Sequence, residues 1–426
     1  MTNGRLNRTA ERRYQLEIKR NLSRNFAVHL VHGMLGQTGF RLLNAPTFLP
    51  AYLLMLSDGS TMVVGLALAL QSLGTMLTPL FAASLIEHRK RVLPLAFVFG
   101  SAMRLSVLGI GAAGLLFEPK AALVWILVGM LAFGLCAGGQ GVMFNFLMSK
   151  VIPVNRRGRL TGLRNFLAGI TSAGLAMAAG TYLLGETPSQ EGYSYTFIVA
   201  FVLTMCGLFT LLAMREPEPP TMRSKQPLRR RLADIPPLLR SDPAFTRYFL
   251  ARALATLGRM ALPFYILYAG SDLALTGTNL AIVTVAFTIA ATVSNLLWGL
   301  LADYFGFRLV FLAGVGLWIA STVGLLVSSG LVLTSIMFAG IGAAVQGFQN
   351  ASMNLTLEFG SRDDLPLRIA IANSTSEMAG AAGPLLGGVI AAAFGYPVLF
   401  MVSIGFLAVG GAVVTAFVPE PRGERG

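Results

Sequence analysis

The 426-residue chain is 54% hydrophobic and 12% charged, with a mean hydropathy of +0.67. A soluble protein of this length needs about twice that share of charge for its surface, so the composition excludes one and points to a polytopic membrane protein. The net charge of +14 does not indicate nucleic-acid binding, because the basic residues lie between apolar runs rather than on one face, as the positive-inside rule expects.

In chain order, residues 1–26 form a polar, basic cytoplasmic segment with no apolar core. The first span is therefore expected to act as its own insertion signal. Windows of about 19 residues then place twelve spans. They run over 27–55, 62–86, 92–117, 121–149, 160–184 and 193–214, then 246–269, 277–303, 308–328, 331–358, 368–394 and 397–418. Runs this long read as helices, which satisfy their own backbone in lipid, and not as barrel strands. Residues 215–245, rich in proline and mixed charge, read as a cytoplasmic linker with a short surface helix around 227–240, and 419–426 as a cytoplasmic tail. The chain thus divides into an N-terminal bundle, 27–214, and a C-terminal bundle, 246–418.

Connectors on one side, such as "SDGS", "FEPK" and "GSDLALTG", hold Lys120 as their only basic residue, whereas "EHRKR", "SKVIPVNRRGR" and "SRDDLPLR" face the other way. This asymmetry places both termini in the cytoplasm and the chain in the cytoplasmic (inner) membrane. Cys136 and Cys206 fall inside apolar runs and give no disulfide or metal pattern.

The halves repeat. "LPAYLLML" at 49–56 matches "LPFYILYA" at 262–269, and "QGVMFN" at 140–145 matches "QNASMN" at 349–354, with Arg159 falling on Arg368 at that second spacing. Between the eighth and ninth spans lies "GLLADYFGFR" (299–308), and the first half carries a ragged copy, "ASLIEHRKR" (83–91), with Glu87 in place of Asp303 and no second glycine.

Six plus six spans, a central linker and parallel repeats resemble the major facilitator superfamily of secondary transporters, in its bacterial twelve-helix form. Gly299, Leu301, Ala302, Asp303, Gly306 and Arg308 match that family's G-x-L-A-D-x-x-G-x-R loop signature. The resemblance implies an all-α integral membrane fold of two pseudosymmetric six-helix bundles, with the first, fourth, seventh and tenth helices around a cavity. Gln37, Arg41, Asn44, Gln140, Arg259, Gln346 and Asn350 become candidates to face it. "AGAAGPLLGG" (379–388) resembles the family's antiporter pattern but sits in the eleventh span, where close helix packing by small residues explains it equally.

Ionisable groups deep in a span are functional candidates because they are costly there. Arg41, Arg104, Arg259 and Glu377 lie near mid-bilayer. Arg41 belongs to a polar stripe with His29, His32, Gln37 and Asn44, and either recognises a carboxylate-bearing substrate or pairs with Glu377. Arg104 reads as structural, and His29 and His32 as interfacial hydrogen-bonding groups rather than metal ligands. Glu377, about 14 Å into the eleventh span, is the candidate proton carrier. The resemblance further suggests a cytoplasmic gate that closes when the cavity opens outward: Asp303 with Arg159, and Glu87 with Arg368, while Arg308 holds the loop.

No G-x-x-x-x-G-K-[ST] loop and no nucleophile–base constellation occurs, so the sequence reads as neither an ATP-driven pump nor an enzyme. The expected function is secondary transport of a small solute by alternating access. Proton-coupled efflux of a small organic compound, anionic or amphipathic, leads. Uptake of an organic anion, a metal-ion carrier and a non-transporting receptor or assembly factor of the same fold are the alternatives. The expected partners are the small molecule, protons and the bilayer, with a monomeric chain, no cofactor, no metal and no nucleic acid.

Overall fold

A computed structural model describes residues 2–86, 89–218, 235–359 and 365–418. Eleven helices among them are long and apolar enough to cross a membrane. The first span completes the twelve but falls short in hydropathy, because its polar stripe occupies one face and the helix is interrupted. It runs as one helix from Thr2 to Asn44, breaks over 45–47 and resumes as Phe48–Leu56. The helix therefore begins well before residue 27. Its early residues hold no proline and, after Gly4, no glycine until Gly33, so the basic segment is helical rather than an irregular tail.

The other spans follow the expected boundaries within a few residues. Several start on a proline in the first helical turn, where no backbone donor is lost: Pro94, Pro119, Pro243 and Pro397. The eighth span (Gly277–Phe305) turns into the ninth (Phe307–Val327) through Gly306 alone, at φ +83°, a conformation that a Cβ would oppose. The first-half loop has no such glycine; there the described part of the helix reaches Ile86, residues 89–92 are not helical, and the next helix begins at Leu93.

The repeat is visible in the packing. Tyr52 and its match Tyr265 are both fully buried, each against the last span of its own half. Tyr52 stacks on Tyr193 at 4.7 Å, and Tyr265 meets Phe400 edge-on at 4.9 Å. The matched prolines also share a role. The first span breaks at Pro46 just before Pro50, and the seventh tightens into a 3₁₀ turn over Gly258–Phe264 around Pro263. Both irregular segments border the centre of the molecule.

The halves meet along two seams, second span against eleventh and fifth against eighth. Call the end carrying the central linker the linker side and the opposite end the far side. The cross-half hydrogen bonds between described residues gather towards the far side. Thr47 and Thr284 share one at 2.6 Å, Thr61 Oγ1 donates to the Gly388 carbonyl at 3.1 Å, and the Gly277 N–H donates to the Gly185 carbonyl at 2.7 Å. Gly180 and Gly277 bring two backbones into direct apposition there, as do Gly65 and Gly388. The far side is closed.

On the linker side the expected surface helix lies at Ile235–Ser241, and 219–234 are outside the described residues. The start of the linker is pinned. Asn25 exchanges two hydrogen bonds with the backbone of Arg215. Glu216, buried, pairs with Lys150 from the fourth span and caps the third span by accepting from the N–H groups of Val92 and Leu93. Removing one member of a buried pair costs about 3–5 kcal/mol, and here a helix cap goes with it. Glu216→Ala should therefore lower the melting temperature in detergent and the yield of folded protein, with Glu216→Gln milder because it still accepts hydrogen bonds. An unchanged melt for Glu216→Ala would show that the pair holds nothing together.

Candidate functional site

The breaks in the first and seventh spans turn polar side chains towards the space between the halves. Arg259, in the 3₁₀ segment, lines three adjoining compartments of about 290, 450 and 220 Å³. They form one central cavity. Arg41 and Asn44 line the first compartment from the opposite half, with Thr292, Asn295, Gln346 and Gln349. Arg41 lies within 3.4 Å of both Thr292 Oγ1 and Gln37 Oε1, long contacts that leave its guanidinium fork available. Asn44 accepts from Gln71 at 2.7 Å. Gln346, Asn350 and Asn295 form a chain of amides, Gln346 donating to Asn350 at 3.1 Å and Asn350 to Asn295 at 2.5 Å.

The largest compartment holds Arg259, Arg252 and Glu377. Among the described residues Glu377 is the only acidic one lining any of the three, and it stands in electrostatic range of Arg259 without a direct salt bridge to it. Arg41 does not pair with Glu377 either; its contacts are to Thr292 and Gln37. Arg252 was not singled out in the sequence because it lies near the linker side, where basic residues are common. It is 7% exposed and donates to Thr356 at 3.0 Å.

Three of the expected residues do not line these compartments: Gln37, Gln140 and Asn350, the last of which joins Gln346 to Asn295. Gln140 and Gln37 line a separate chamber inside the N-terminal bundle. Gln140 packs beside Gly100 and is buried, whereas its sequence match Gln349 is exposed and lines the central cavity, so the repeated glutamines do different work. The third helix turns Gln140 inward because Gly100 leaves room for it. Arg104 has a structural surrounding: its Nε donates to the Thr204 carbonyl at 2.7 Å, its Nη1 to the Gly100 carbonyl at 2.8 Å, and it sits over the Phe40 ring. No ion pair is involved. His29 is buried against Phe144, and His32 faces the Gly207 carbonyl at 3.0 Å.

The expected Asp303–Arg159 pair is not formed here, and both residues are exposed. Glu87 lies outside the described residues. Arg368, expected opposite it, instead binds Asp242 at 2.7 Å and stacks over Phe245, within its own half. Asp242 is free to reach it because its other oxygen caps the seventh span through the Phe245 N–H at 3.0 Å. Arg308 does hold its loop: its Nη2 donates to the Thr415 carbonyl at 2.8 Å at the end of the twelfth span. The glycines of 379–388 are packing surfaces, with Gly387 against Met260 and Gly388 against Thr61.

Solved structures with the same architecture include a mutant of the nucleoside transporter NupG (11% identity, TM-score 0.72, 92% of this chain and 99% of that chain). Others are a D-xylose–proton symporter (13%, 0.71, 93% and 98%) and a bacterial homologue of the iron transporter ferroportin in an inward-facing state (13%, 0.69, 93% and 99%). At such identities the likeness speaks for the fold alone. Among curated proteins no sequence matches significantly. The Major Facilitator Superfamily model matches residues 34–257 and 248–426, nearly the whole chain in two overlapping stretches, and the chain belongs to that superfamily of transporters.

Proposed function

We propose that the protein moves a small organic anion across the cytoplasmic membrane by alternating access, with the linker and both termini in the cytoplasm and with proton and anion travelling in the same direction. The observation that supports an anion is the lining of the central cavity: Arg41, Arg259 and Arg252 line it, and among the described residues Glu377 is the one acid that does. Three fixed charges facing one acid in a low-dielectric space favour a negatively charged guest, and forked guanidinium donors suit a carboxylate.

The direction of coupling follows from the neighbourhood of Glu377 and Arg259. An ionised Glu377 offsets the field of Arg259 and competes with the guest for it. Once protonated, it leaves Arg259 to the anion. Proton and anion thus favour each other's binding, which suits symport better than the exchange expected of efflux. The glycine pattern at 379–388, which hinted at antiport, is occupied with helix packing and lends efflux no support.

In the rocking cycle Asp303 and Arg159 approach when the linker side closes, and Asp303 faces the positive N-terminus of the fifth span. The attraction is worth a few kcal/mol at most, or the two states would not interconvert. Asp303→Asn should shift the resting balance towards the linker-side-open form. A spin-label pair across the fifth and eighth spans would read a longer mean distance. An unchanged distance distribution would remove Asp303 from the gate.

Function itself is tested in proteoliposomes loaded with a panel of labelled carboxylates under an imposed pH gradient. Accumulation on the alkaline side supports the reading, and transport confined to neutral or cationic compounds overturns it.

A further inference from the structure

A second charged chamber lies within the N-terminal bundle, about 240 Å³ in volume, between the first, third, fourth and fifth spans. Gly33 and Gly36 of the first span border it. The stem of Arg164 occupies the place a Cβ on Gly33 would take, and a Cβ on Gly36 would sit 3.6 Å from Arg104 Nη2. The two guanidinium groups therefore enter from the fifth and third spans, each over an aromatic ring: Arg164 over Phe144 at 5.3 Å, Arg104 over Phe40 at 5.2 Å. Among the described residues no acidic one lines the chamber. Arg164 Nε and Gln140 Oε1 are buried with no hydrogen-bond partner. Arg164 also stands in electrostatic range of Arg41, so the two positive charges reinforce rather than cancel one another.

Positive charge inside a membrane span with no acid beside it is costly unless an anion shares the space. We propose that this chamber is an anion-binding subsite in which Arg164 and Arg104 hold a small carboxylate-like or phosphate-like group, a proposal that rests on the anion reading of the central cavity. The chamber adjoins that cavity in two ways. Ala137 and Gly141 of the fourth span line both spaces, and Gln37 lines the chamber while touching Arg41. The guest is either a free anion or the second acidic group of a ligand seated on Arg41.

The test uses the full-length protein in nanodiscs of neutral lipid. Its melting temperature is titrated with the sodium salts of acetate, succinate and phosphate at constant ionic strength. Wild type is compared with Arg164→Gln, Arg164→Lys and Arg41→Gln; Arg104 is left intact because it ties two helices together. The expected result is a rise in melting temperature with at least one anion, whose apparent affinity falls at least about tenfold in Arg164→Gln and less in Arg164→Lys.

An acetate or phosphate response lost in Arg164→Gln but kept in Arg41→Gln supports a free anion. A succinate response weakened in both variants, with acetate weakened only in Arg41→Gln, supports a second acidic group of the ligand. An Arg164→Gln variant that answers all three anions as wild type does overturns the subsite, and leaves the central cavity standing if Arg41→Gln still weakens binding. A wild type that answers none of the three overturns the subsite and the anion reading together.

Discussion

Arg259→Ala is expected to lower transport of a small organic anion by on the order of 10²–10³-fold. Stripping one partner from a desolvated ion pair costs about 3–5 kcal/mol, and each 1.4 kcal/mol is about tenfold. The size of the effect follows from its place: Arg259 lines all three compartments of the central cavity, and no other residue does. It owes that place to the 3₁₀ segment around Pro263, which interrupts the seventh span where an unbroken helix would aim the side chain differently. Initial rates in proteoliposomes, with reconstituted protein quantified, measure the loss. Arg104→Ala gives the contrast. Its Nε and Nη1 are engaged by the carbonyls of Thr204 and Gly100, away from the central cavity, so the expected result is a lower yield of folded protein with transport of a monocarboxylate retained in what does fold. Equal transport by Arg259→Ala and wild type would take Arg259 out of the site.

Glu377→Gln is expected to abolish accumulation driven by a pH gradient while sparing exchange of labelled for unlabelled anion. The amide keeps the shape and one hydrogen-bond acceptor but cannot take up or release a proton, so the guest still binds and the cycle loses its drive. Glu377 is suited to the role because, among the described residues, it is the one acid on the cavity lining and sits near Arg259 without being locked to it. A tight ion pair would hold the proton off too firmly to exchange it with the guest. Gradient-driven accumulation that survives in Glu377→Gln would show that the proton travels by another route.

The spans and their pairing into halves were legible in the sequence because both depend on local pattern. Apolar length sets a helix in lipid, and repeated motifs such as Leu49–Pro50 and Leu262–Pro263 mark equivalent turns. Arg41, Asn44, Arg259 and Glu377 could be picked out for the same reason, each a costly group in an apolar run. Which way a side chain faces was less legible. Gln140 and Gln349 sit in matched motifs, yet a glycine on a neighbouring helix draws one into the bundle while the other meets the cavity.

Arg164 and Arg252 were missed because they stand near the linker ends of their spans, where the positive-inside rule already explains arginine. Their burial shows only in three dimensions. Asn295 and Thr292 carried a readable signal, as polar residues on one face of the eighth span. The proposed Asp303–Arg159 gate would pair only when the linker side closes, and the two side chains make no ion pair here. Arg368, meanwhile, found an acid in Asp242 that repeat symmetry alone does not indicate.

The central claim is that the cavity at Arg41 and Arg259 takes an organic anion. Its most direct test is a counterflow measurement in proteoliposomes preloaded in turn with a small carboxylate, its neutral amide and an amine of the same carbon skeleton. Uptake of labelled carboxylate that only the unlabelled carboxylate supports, and that Arg259→Ala eliminates, is the predicted result. Equal counterflow with the amide or the amine, or counterflow that Arg259→Ala leaves intact, would contradict it.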